Sequence, residues 1–478
     1  MRANLCFIFF LLWIQPVLCV ASDIRPNIFW IVVEDMSPHF SCYGETTINT
    51  PHVDRLAEKG VRFSRAMVTG PVCSASRSAL ITGMYQTTIG AHQHRSSRGE
   101  HQVYLPGHVR PLPEIFRDAG YYCTNRRKTD YNFVYDGDLY DGRDWKDRSP
   151  GQPFFHQEQL SGGKLRSRLE VIEGLMEDVG PMVSPEAVVL PPYYPDHPDI
   201  RKDWAGYLSS VLYTDYQVGQ ILKDLEDEGV LENTIVLFIT DHGISHARGK
   251  QFCYDEGIHV PFIVNGPGVA SGVVREEVIP HIDMAATSLA LAGIPIPAGM
   301  QGRDLFAEDY EARPFVISAR DRCDETTDRI RSVRTERYKY IRNYHYQRPY
   351  LQPNRYKDAK LIIQTIRQLS EDNRLSPVQA LITAETRPFE ELYDLEQDPW
   401  EIRNLADNPE YRAILLRMRD NLDSWIVETR DQGEIPESKH VYDLEMDWNN
   451  NAKKDRPEQV EIMLRNIAQM EAWRDAGM

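Results

Sequence analysis

Two apolar runs, each followed directly by ionisable side chains, restrict the folds open to this chain more than any other feature. The first run covers 26–33 and precedes a Glu-Asp pair, and the second covers 234–240 and precedes Asp241 and His242. Continuous apolar runs of this kind are typical of parallel strands buried on both faces of a sheet. Because ligands of open α/β sheets bind beyond the carboxyl ends of the strands, we expect a site there. The alternative is a solvated turn after each strand.

A loop of small residues leads into a short apolar segment that contains Cys73. The stretch runs from Pro71 to Gly83 and predicts a helix that begins near the cysteine and ends at the glycine. At the start of a helix, free N–H groups and the positive end of the dipole favour an anion, and they also favour a reactive thiolate. The alternative is a buried small hydrophobic residue in front of a helix.

The motif around Cys73 resembles the signature of the type I, formylglycine-dependent sulfatases of the alkaline phosphatase superfamily. It reads Cys-x-Ala-x-Arg, ending at Arg77, and is followed by Leu-x-Thr-Gly. In that family a generating enzyme oxidises the cysteine to formylglycine, and one hydroxyl of the hydrated aldehyde attacks the sulfur of a sulfate ester. The second hydroxyl then allows sulfate to be expelled, an exit that a thiol or serine lacks. The resemblance implies Cys73 as the nucleophile precursor and Arg77 as a catalytic cation.

The segments after the two apolar runs match the metal motifs of the same family. The resemblance implies one calcium ion per chain, with ligands from Glu34, Asp35, Cys73, Asp241 and His242. Glu34 stands where relatives usually carry aspartate, and its longer side chain either reaches the ion or lies one shell further out. Calcium prefers oxygen ligands, so Asp35 and Asp241 are the favoured ligands. The assignment of His242 as a ligand rests on the resemblance alone.

Two lysines lie in segments that the family uses to bind the sulfate group. Lys250 follows Gly249 in one such segment, and Lys128 matches the lysine of a Gly-Lys-x-His motif. Asp130 stands in place of that histidine and Arg127 in place of that glycine, so the surroundings of the nucleophile differ from the family pattern. A lysine alone still neutralises the transferred sulfate.

The general acid has two candidates. Relatives often protonate the leaving oxygen with a histidine that follows a Pro-Phe-Phe strand, and here both His156 and Lys164 follow the strand that begins at Pro153. Lys164 lies closer to the family spacing, and we favour it.

The loop beyond the nucleophile helix carries a cluster of basic and imidazole side chains. It could form a metal site, a rim that binds substrate, or a polar surface, and we favour the rim because no third metal ligand lies nearby. The candidate substrate-binding residues are therefore His92, His94 and Arg95 of this loop, to which we add Asp130 and His156 from the two segments described above.

The net charge of the chain limits the kinds of molecule that it is expected to bind. The chain has 478 residues, of which 71 are acidic and 54 are lysine or arginine, giving a formal net charge of −17. Binding of nucleic acid through a basic face is therefore not expected. A sulfated substrate has to be held by local cations against an unfavourable overall field.

The first residues have the pattern of a secretory signal peptide. A basic residue precedes an apolar run from Leu5 to Val20, which is short for a membrane-spanning helix, and small residues follow it. We expect cleavage of residues 1–21 and a secreted, periplasmic or lumenal protein with no stable membrane insertion. The five remaining cysteines permit two disulfides without requiring them, and their spacing does not fit a zinc cluster.

The rest of the chain predicts two domains. A segment rich in Pro and Gly at 295–314 separates a catalytic domain at 22–310 from a C-terminal α+β subdomain at 311–478, which begins with antiparallel strands. The resemblance extends over roughly residues 26 to 410 and implies an α/β fold. That fold is the alkaline-phosphatase-like sandwich, with a mostly parallel central sheet and a smaller C-terminal antiparallel sheet.

Together these features predict a secreted, calcium-dependent sulfatase that hydrolyses sulfate esters or N-sulfate of a sulfated carbohydrate. The Asp-His-Gly variant mildly resembles that of heparan N-sulfatases. A phosphodiesterase or phosphonate monoester hydrolase of the same superfamily would use the same groups. A non-catalytic binder of sulfated sugar would follow if Cys73 were not oxidised.

Overall fold

A computed structural model describes residues 25–478 of the chain. The predicted signal peptide at 1–21 lies outside these residues. Within the described part, no helix has both the length and the apolar character needed to cross a membrane.

The central element is a seven-stranded sheet in the order β3-β4-β1-β5-β6-β2-β7. Neighbouring strands are parallel except at β6, which runs antiparallel to both β5 and β2. The mostly parallel sheet expected from the apolar runs is confirmed. Its strands are β1 Asn27–Val33, β2 Val61–Met67, β3 Tyr122–Arg126, β4 Phe154–Leu160, β5 Thr234–Thr240, β6 His259–Asn265 and β7 Val273–Pro280.

A separate four-stranded sheet follows in the C-terminal part, with the order β11-β10-β9-β8. All its strand pairs are antiparallel, as the sequence predicts. The strands are β8 Val316–Arg320, β9 Ile330–Arg334, β10 Tyr338–Asn343 and β11 Glu390–Asp394. Apolar side chains of this sheet, among them Val316 and Ile341, belong to the same core cluster as Trp30 of β1. The domain boundary at residue 310 stays a prediction.

Helices cover both faces of the central sheet. They are α1 Pro51–Glu58, α2 Cys73–Thr82, α3 Leu112–Asp118, α4 Leu169–Leu175, α5 Pro198–Asp227, α6 Asp255–Ile258, α7 Asp283–Leu291, α8 Arg355–Asp358, α9 Leu361–Glu371, α10 Pro377–Ala380, α11 Arg412–Thr429, α12 Lys439–Asn451 and α13 Pro457–Asp475.

Strand β1 explains why the sheet needs two helical layers. Its side chains alternate, so Ile28 and Trp30 pack into one core and Phe29 and Ile31 into the other. Helices α3 and α7 cover the first face, and α5 covers the second. A strand buried on both faces has no solvated side, and this is why its sequence is continuously apolar.

Helix α2 is buried along its whole length, beginning at Cys73. It ends at Gly83, whose φ of 65° lies in the left-handed region. A Cβ added at Gly83 would lie 2.7 Å from Met300 and 3.1 Å from Ala285, so glycine is needed both for the turn and for the close packing. This packing holds the end of α2 against α7.

Some elements differ from the sequence prediction. Strand β7 and helices α4, α5, α9 and α12 are among the elements that the sequence patterns described above do not predict. The sequence of β7 carries Arg275 and two glutamates, because it is an edge strand with partly exposed side chains. Every cysteine in the described residues is a free thiol.

Candidate active site

The carboxyl ends of β1 and β5 hold two carboxylates side by side. The backbone N–H of Asp35 donates to Oδ1 of Asp241 at 3.1 Å, and the N–H of Asp241 donates to the carbonyl of Val33 at 2.8 Å. Asp35 has a φ of 55°, so its backbone turns sharply where the strand ends. Parallel pairing of β1 and β5 therefore brings together residues that are 206 positions apart.

Four buried side chains meet at this edge. Asp35, Cys73, Asp241 and His242 each present one donor atom, and these atoms all lie within 4.8 Å of one another. Nδ1 of His242 lies 2.8 Å from the carbonyl of Gly243, so its N–H donates there and Nε2 faces the group. Nε2 of His242 is 3.1 Å from the sulfur of Cys73.

The arrangement fits a bound cation. Burial alone would raise the pKa of Asp35, but the positive charges of Lys250 and His242 hold it well below the usual range. The pKa of Asp241 is lowered in the same way by His242 and Arg77, against burial. Oδ1 of Asp35 is buried without a hydrogen-bond partner. Two ionised carboxylates and an unpartnered buried oxygen suit a hard divalent ion, with carboxylates as its ligands.

Cys73 lies at the centre of the cationic side chains. Nζ of Lys250 donates to its sulfur at 2.9 Å. Although burial alone would raise the pKa of the thiol, the charges of Lys128 and Lys250 lower it to about 6. The thiol therefore ionises readily, in a pocket built to stabilise negative charge at this position.

Arg77 connects the carboxyl ends of β1 and β5 to β4. Its Nε donates to Oδ2 of Asp241 at 3.1 Å, and Nη2 lies 3.3 Å from Oε1 of Glu34. A further N–H donates to the side chain of Gln159. Arg77 is 3% exposed, so these contacts fix a buried guanidinium one turn along the helix from Cys73.

Glu34, predicted as a metal ligand, is not part of the four-residue group. One of its oxygens contacts Lys128 and Arg77, and the other lies 2.6 Å from Nζ of Lys164. Three cations thus satisfy this carboxylate, and they lower its pKa against the effect of burial. The longer side chain turns towards the lysines instead of the cation site, and it holds Lys128 and Lys164 together beside Cys73.

Asp130 lies in the same basic environment. Arg95 donates to its two oxygens at 2.8 and 3.0 Å, and Nζ of Lys128 lies 3.1 Å away. These charges hold the pKa of Asp130 well below its usual range although burial opposes them. Asp130 therefore acts here as a fixed anion that orients two cations.

The two loop histidines predicted to form a substrate-binding rim lie in different places. His94 accepts a hydrogen bond at Nδ1 from the backbone N–H of Asp324 at 3.2 Å and lies beside Arg95. The charges acting on His92 come from the Asp321 and Arg331 region instead of the Cys73 group.

His156 is not at the site. It lies inside β4, opposite Phe29 of β1, with its ring 4.7 Å from that phenyl ring and Nδ1 2.7 Å from the hydroxyl of Thr124. Because it is placed before the end of its strand, it cannot contact a ligand at the carboxyl edge of the sheet. Lys164, in the turn that follows β4, does lie there.

Tyr356 also lies at the site, although no sequence motif indicates it. Its hydroxyl donates to Oδ2 of Asp35 at 2.8 Å, and its ring lies 4.7 Å from Nζ of Lys250. Tyr356 belongs to the short helix α8, in the C-terminal part of the chain, and nothing in its local pattern separates it from other tyrosines.

Two known families match overlapping parts of this chain, and both are sulfatase families. Residues 26–144 and 122–294 match the sulfatase family, and residues 242–387 match the family described as N-sulphoglucosamine sulphohydrolase, C-terminal. The matched residues include the Cys73 motif, strands β1 and β5, and helix α8.

Individual relatives agree with this assignment. An ulvan-active sulfatase from Formosa agariphila is 33% identical over 477 residues, covering 89% of this chain and 78% of the relative. Human N-sulphoglucosamine sulphohydrolase is 26% identical over 463 residues, covering 85% and 91%. The solved structure of a 2-O GAG sulfatase superposes with a TM-score of 0.62 at 21% identity, covering 87% and 96%, and supports the fold. The chain belongs to the sulfatase family of the alkaline phosphatase superfamily and is a hydrolase of sulfate esters.

Proposed function

We propose that this sulfatase is a secreted, calcium-dependent enzyme that removes sulfate from a sulfated carbohydrate through a formylglycine made from Cys73. The observation that carries the proposal is the placement of the Cys73 sulfur, 2.9 Å from Nζ of Lys250 and 3.1 Å from Nε2 of His242. The sulfur of Cys73 thus lies between the Lys250 ammonium group and the imidazole of His242.

Formylglycine and calcium would supply chemistry that the unmodified side chains lack. Formylglycine at position 73 would provide a hydrated aldehyde as nucleophile and a second hydroxyl for release of sulfate. Calcium, held by Asp35, Asp241 and His242, would polarise a sulfate oxygen.

The side chains of the enzyme then bind and orient the ester. Lys250 and Arg77 neutralise charge next to the nucleophile, and both are held by the carboxylates of the metal group. Lys128 and Lys164 contact Glu34 and are 22% and 27% exposed, so they can also reach an anion from the solvent side. A sulfate group stays anionic throughout the reaction, and these contacts act both in the ground state and in the transition state.

Lys164 is the proposed general acid. Its ammonium group follows β4 at the carboxyl edge of the sheet and is oriented by Oε2 of Glu34 at 2.6 Å. A lysine held in this way can deliver a proton from Nζ to the leaving oxygen.

The carbohydrate substrate is supported by the relatives. One acts on ulvan and another on N-sulphoglucosamine, and both cover most of this chain. Secretion and maturation by a formylglycine-generating enzyme follow from the predicted signal peptide and from the Cys73 motif.

Mass spectrometry of the Cys73 peptide, combined with turnover assays, tests this function. Enzyme produced together with a formylglycine-generating enzyme should yield a peptide lighter than the cysteine form. It should hydrolyse 4-nitrophenyl sulfate and release sulfate from sulfated disaccharides.

The Cys73→Ala variant is the matched comparison and should fold without turnover above background. Activity above about a tenth of the wild-type rate in this variant contradicts the assignment. Faster hydrolysis of a phosphonate monoester than of every sulfate ester tested would favour the phosphonate hydrolase alternative.

A further inference from the structure

Ser76 links the helix that carries Cys73 to the metal side of the site. It lies on α2, one turn after the cysteine, and is fully buried. A hydroxyl inside a helix often donates to a carbonyl one turn earlier in its own helix, as those of Ser78 and Thr82 do. The hydroxyl of Ser76 instead donates to the backbone carbonyl of Asp241, at the end of β5. It is therefore turned towards the strand that carries a proposed metal ligand.

The imidazole ring of His281 contacts Ser76 from the other side. His281 follows β7 and is fully buried. The backbone N–H of Thr69, in the loop before α2, donates to Nδ1 of this ring at 3.2 Å. Nδ1 therefore carries no proton, and the proton of the neutral ring lies on Nε2. Nε2 lies 3.0 Å from the hydroxyl oxygen and 3.0 Å from the carbonyl oxygen of Ser76, so it donates to this pair of oxygens.

These contacts form a continuous chain of hydrogen bonds. In order, its members are the backbone N–H of Thr69, the ring of His281, the hydroxyl of Ser76 and the carbonyl of Asp241. Each member donates to the next, and hydrogen bonds arranged in this way strengthen one another. Because all four residues are buried, water does not compete for the contacts.

The beginning of the chain is held firmly by the central sheet and its loops. The backbone N–H of His281 donates to the carbonyl of Met67, at the end of β2, at 2.8 Å. Gln86 holds Thr69 through two bonds, one to the hydroxyl and one to the carbonyl, each 2.7 Å long. A Cβ added at Gly70 would lie 2.8 Å from the amide nitrogen of Gln86, so the loop packs closely here. The position of Ser76 therefore follows that of the His281 ring.

Asp241 is joined to helix α2 at two points. Its backbone carbonyl accepts from Ser76, and its Oδ2 accepts from Nε of Arg77 at 3.1 Å. Its backbone N–H donates to the carbonyl of Val33 on the neighbouring strand. The two contacts with α2 fix the end of β5 relative to the helix that begins at Cys73.

We propose that His281 is a positioning residue for the sulfatase reaction and acts through Ser76. The position of Ser76 sets the distance between residue 73 and the carboxylate of Asp241. The inference rests on the proposed function and extends it to two residues that lie outside the group of four donor side chains at the metal site. Misplacement of a reacting group by about 1 Å can cost about 100-fold in rate, so a small shift of α2 is enough to slow the reaction.

Ser76→Ala tests the proposal, because it removes the hydroxyl and leaves the carbonyl of residue 76 as an acceptor for His281. The variant should lower kcat for 4-nitrophenyl sulfate at least about tenfold, with a much smaller change in KM. It should also raise the Kd for calcium at least about tenfold, measured by calorimetry on the unconverted cysteine form.

Ser288→Ala is the matched control. Ser288 is equally buried on α7, donates to the carbonyl of Met284 at 2.7 Å and accepts from Nε1 of Trp30 at 2.9 Å. Its replacement also removes a buried hydroxyl that both donates and accepts, so Tm should fall by a similar amount. Its kcat and its Kd for calcium should equal those of the wild type. If Ser76→Ala changes Tm alone, as the control does, the proposal is overturned.

Two replacements of His281 separate the hydrogen bond from the volume of the ring. His281→Phe keeps a ring but has no donor for Ser76, and it should reproduce the kcat and the calcium Kd of Ser76→Ala. His281→Gln places an amide donor near the position of Nε2 and should recover most of both losses. Wild-type values in His281→Phe, or a His281→Gln variant that is no better, would overturn the proposal. If His281→Phe does not fold, Ser76→Ala and His281→Gln decide by themselves.

Failure of the proposed function is recognised separately. If the wild type hydrolyses no sulfate ester, the proposed function fails. The calcium affinities of Ser76→Ala and Ser288→Ala still test the positioning role in that case, because they do not depend on turnover.

Discussion

The hydroxyl of Tyr356 donates a 2.8 Å hydrogen bond to Oδ2 of Asp35, a residue 321 positions earlier in the chain. The C-terminal part of the molecule thereby orients a carboxylate that lies at the end of the first strand of the central sheet. The same phenol ring lies 4.7 Å from Nζ of Lys250 and 4.1 Å from Nζ of Lys360. Tyr356 is therefore a positioning residue for the proposed metal site.

Replacement of this tyrosine should weaken metal binding without preventing folding. In Tyr356→Phe the ring stays in place, but Asp35 loses the hydrogen bond that fixes its rotamer. Loss of an outer partner of a metal ligand typically costs about 10–100-fold in affinity. Calorimetric titration with calcium measures this. Tyr104→Phe, at a side chain that is 65% exposed, should bind as the wild type does. Equal affinities in both variants would contradict a positioning role for Tyr356.

Removal of the metal should destabilise the protein as well as inactivate it. Without a cation, the carboxylates of Asp35 and Asp241 remain buried side by side. Dialysis against a chelator should therefore lower Tm, and calcium should restore both Tm and activity. Calcium at 100 times its Kd contributes about 2.7 kcal/mol to the free energy of unfolding. Stoichiometric zinc in the purified enzyme, with no calcium or magnesium, would show that the site is misassigned.

Lys128 should contribute to the rate more than to stability. It is 22% exposed and contacts Glu34 and Asp130, so its removal leaves no fully buried charge unpaired. Loss of a charge-assisted hydrogen bond to sulfate costs about 1.5–3 kcal/mol. Each factor of ten in rate corresponds to about 1.4 kcal/mol. Lys128→Ala should therefore lower kcat/KM at least about tenfold with nearly unchanged Tm.

Lys59→Ala serves as the comparison for Lys128, because Lys59 is an exposed lysine at the end of α1. It should change neither kcat/KM nor Tm. Full activity in Lys128→Ala would mean that Lys128 does not bind the sulfate and that Arg77, Lys164 and Lys250 suffice.

The sequence predicts the parts of the site that depend on strand ends. Apolar runs locate β1 and β5, and parallel strands with their ends at one edge bring Asp35 and Asp241 together. The loop-to-helix pattern locates Cys73 at the first residue of α2. These features are local, so they are visible in the chain before its tertiary structure is known.

Contacts that depend on competition between side chains are not visible in this way. A carboxylate at Glu34 can face a cation site or neighbouring lysines, and its choice depends on where Lys128 and Lys164 fold. The same is true of Tyr356, which reaches Asp35 from a four-residue helix. His156 follows the Pro-Phe-Phe motif, but strand register places its ring inside β4.

Glu325 should make the stability of the protein depend on pH. It is fully buried and contacts the backbone N–H of Arg355 at 2.6 Å and Nδ2 of Asn466 at 2.9 Å. Burial, together with the charge of Asp324, raises its pKa from 4.5 to about 7. The folded protein therefore retains a proton that the unfolded chain has lost, and stability falls as the pH rises from 4.5 to about 7.

A Glu325→Gln variant should remove this decline, because the amide keeps an acceptor oxygen for Asn466 and does not ionise. At about 1.4 kcal/mol per pKa unit, the gain above pH 7 amounts to about 3 kcal/mol relative to the wild type, with little difference near pH 4. Thermal unfolding at both pH values measures it. Glu461→Gln, at an exposed position of α13, should follow the wild-type pH dependence. If Glu325→Gln loses as much stability between these pH values as the wild type, the buried carboxyl is not the group that titrates.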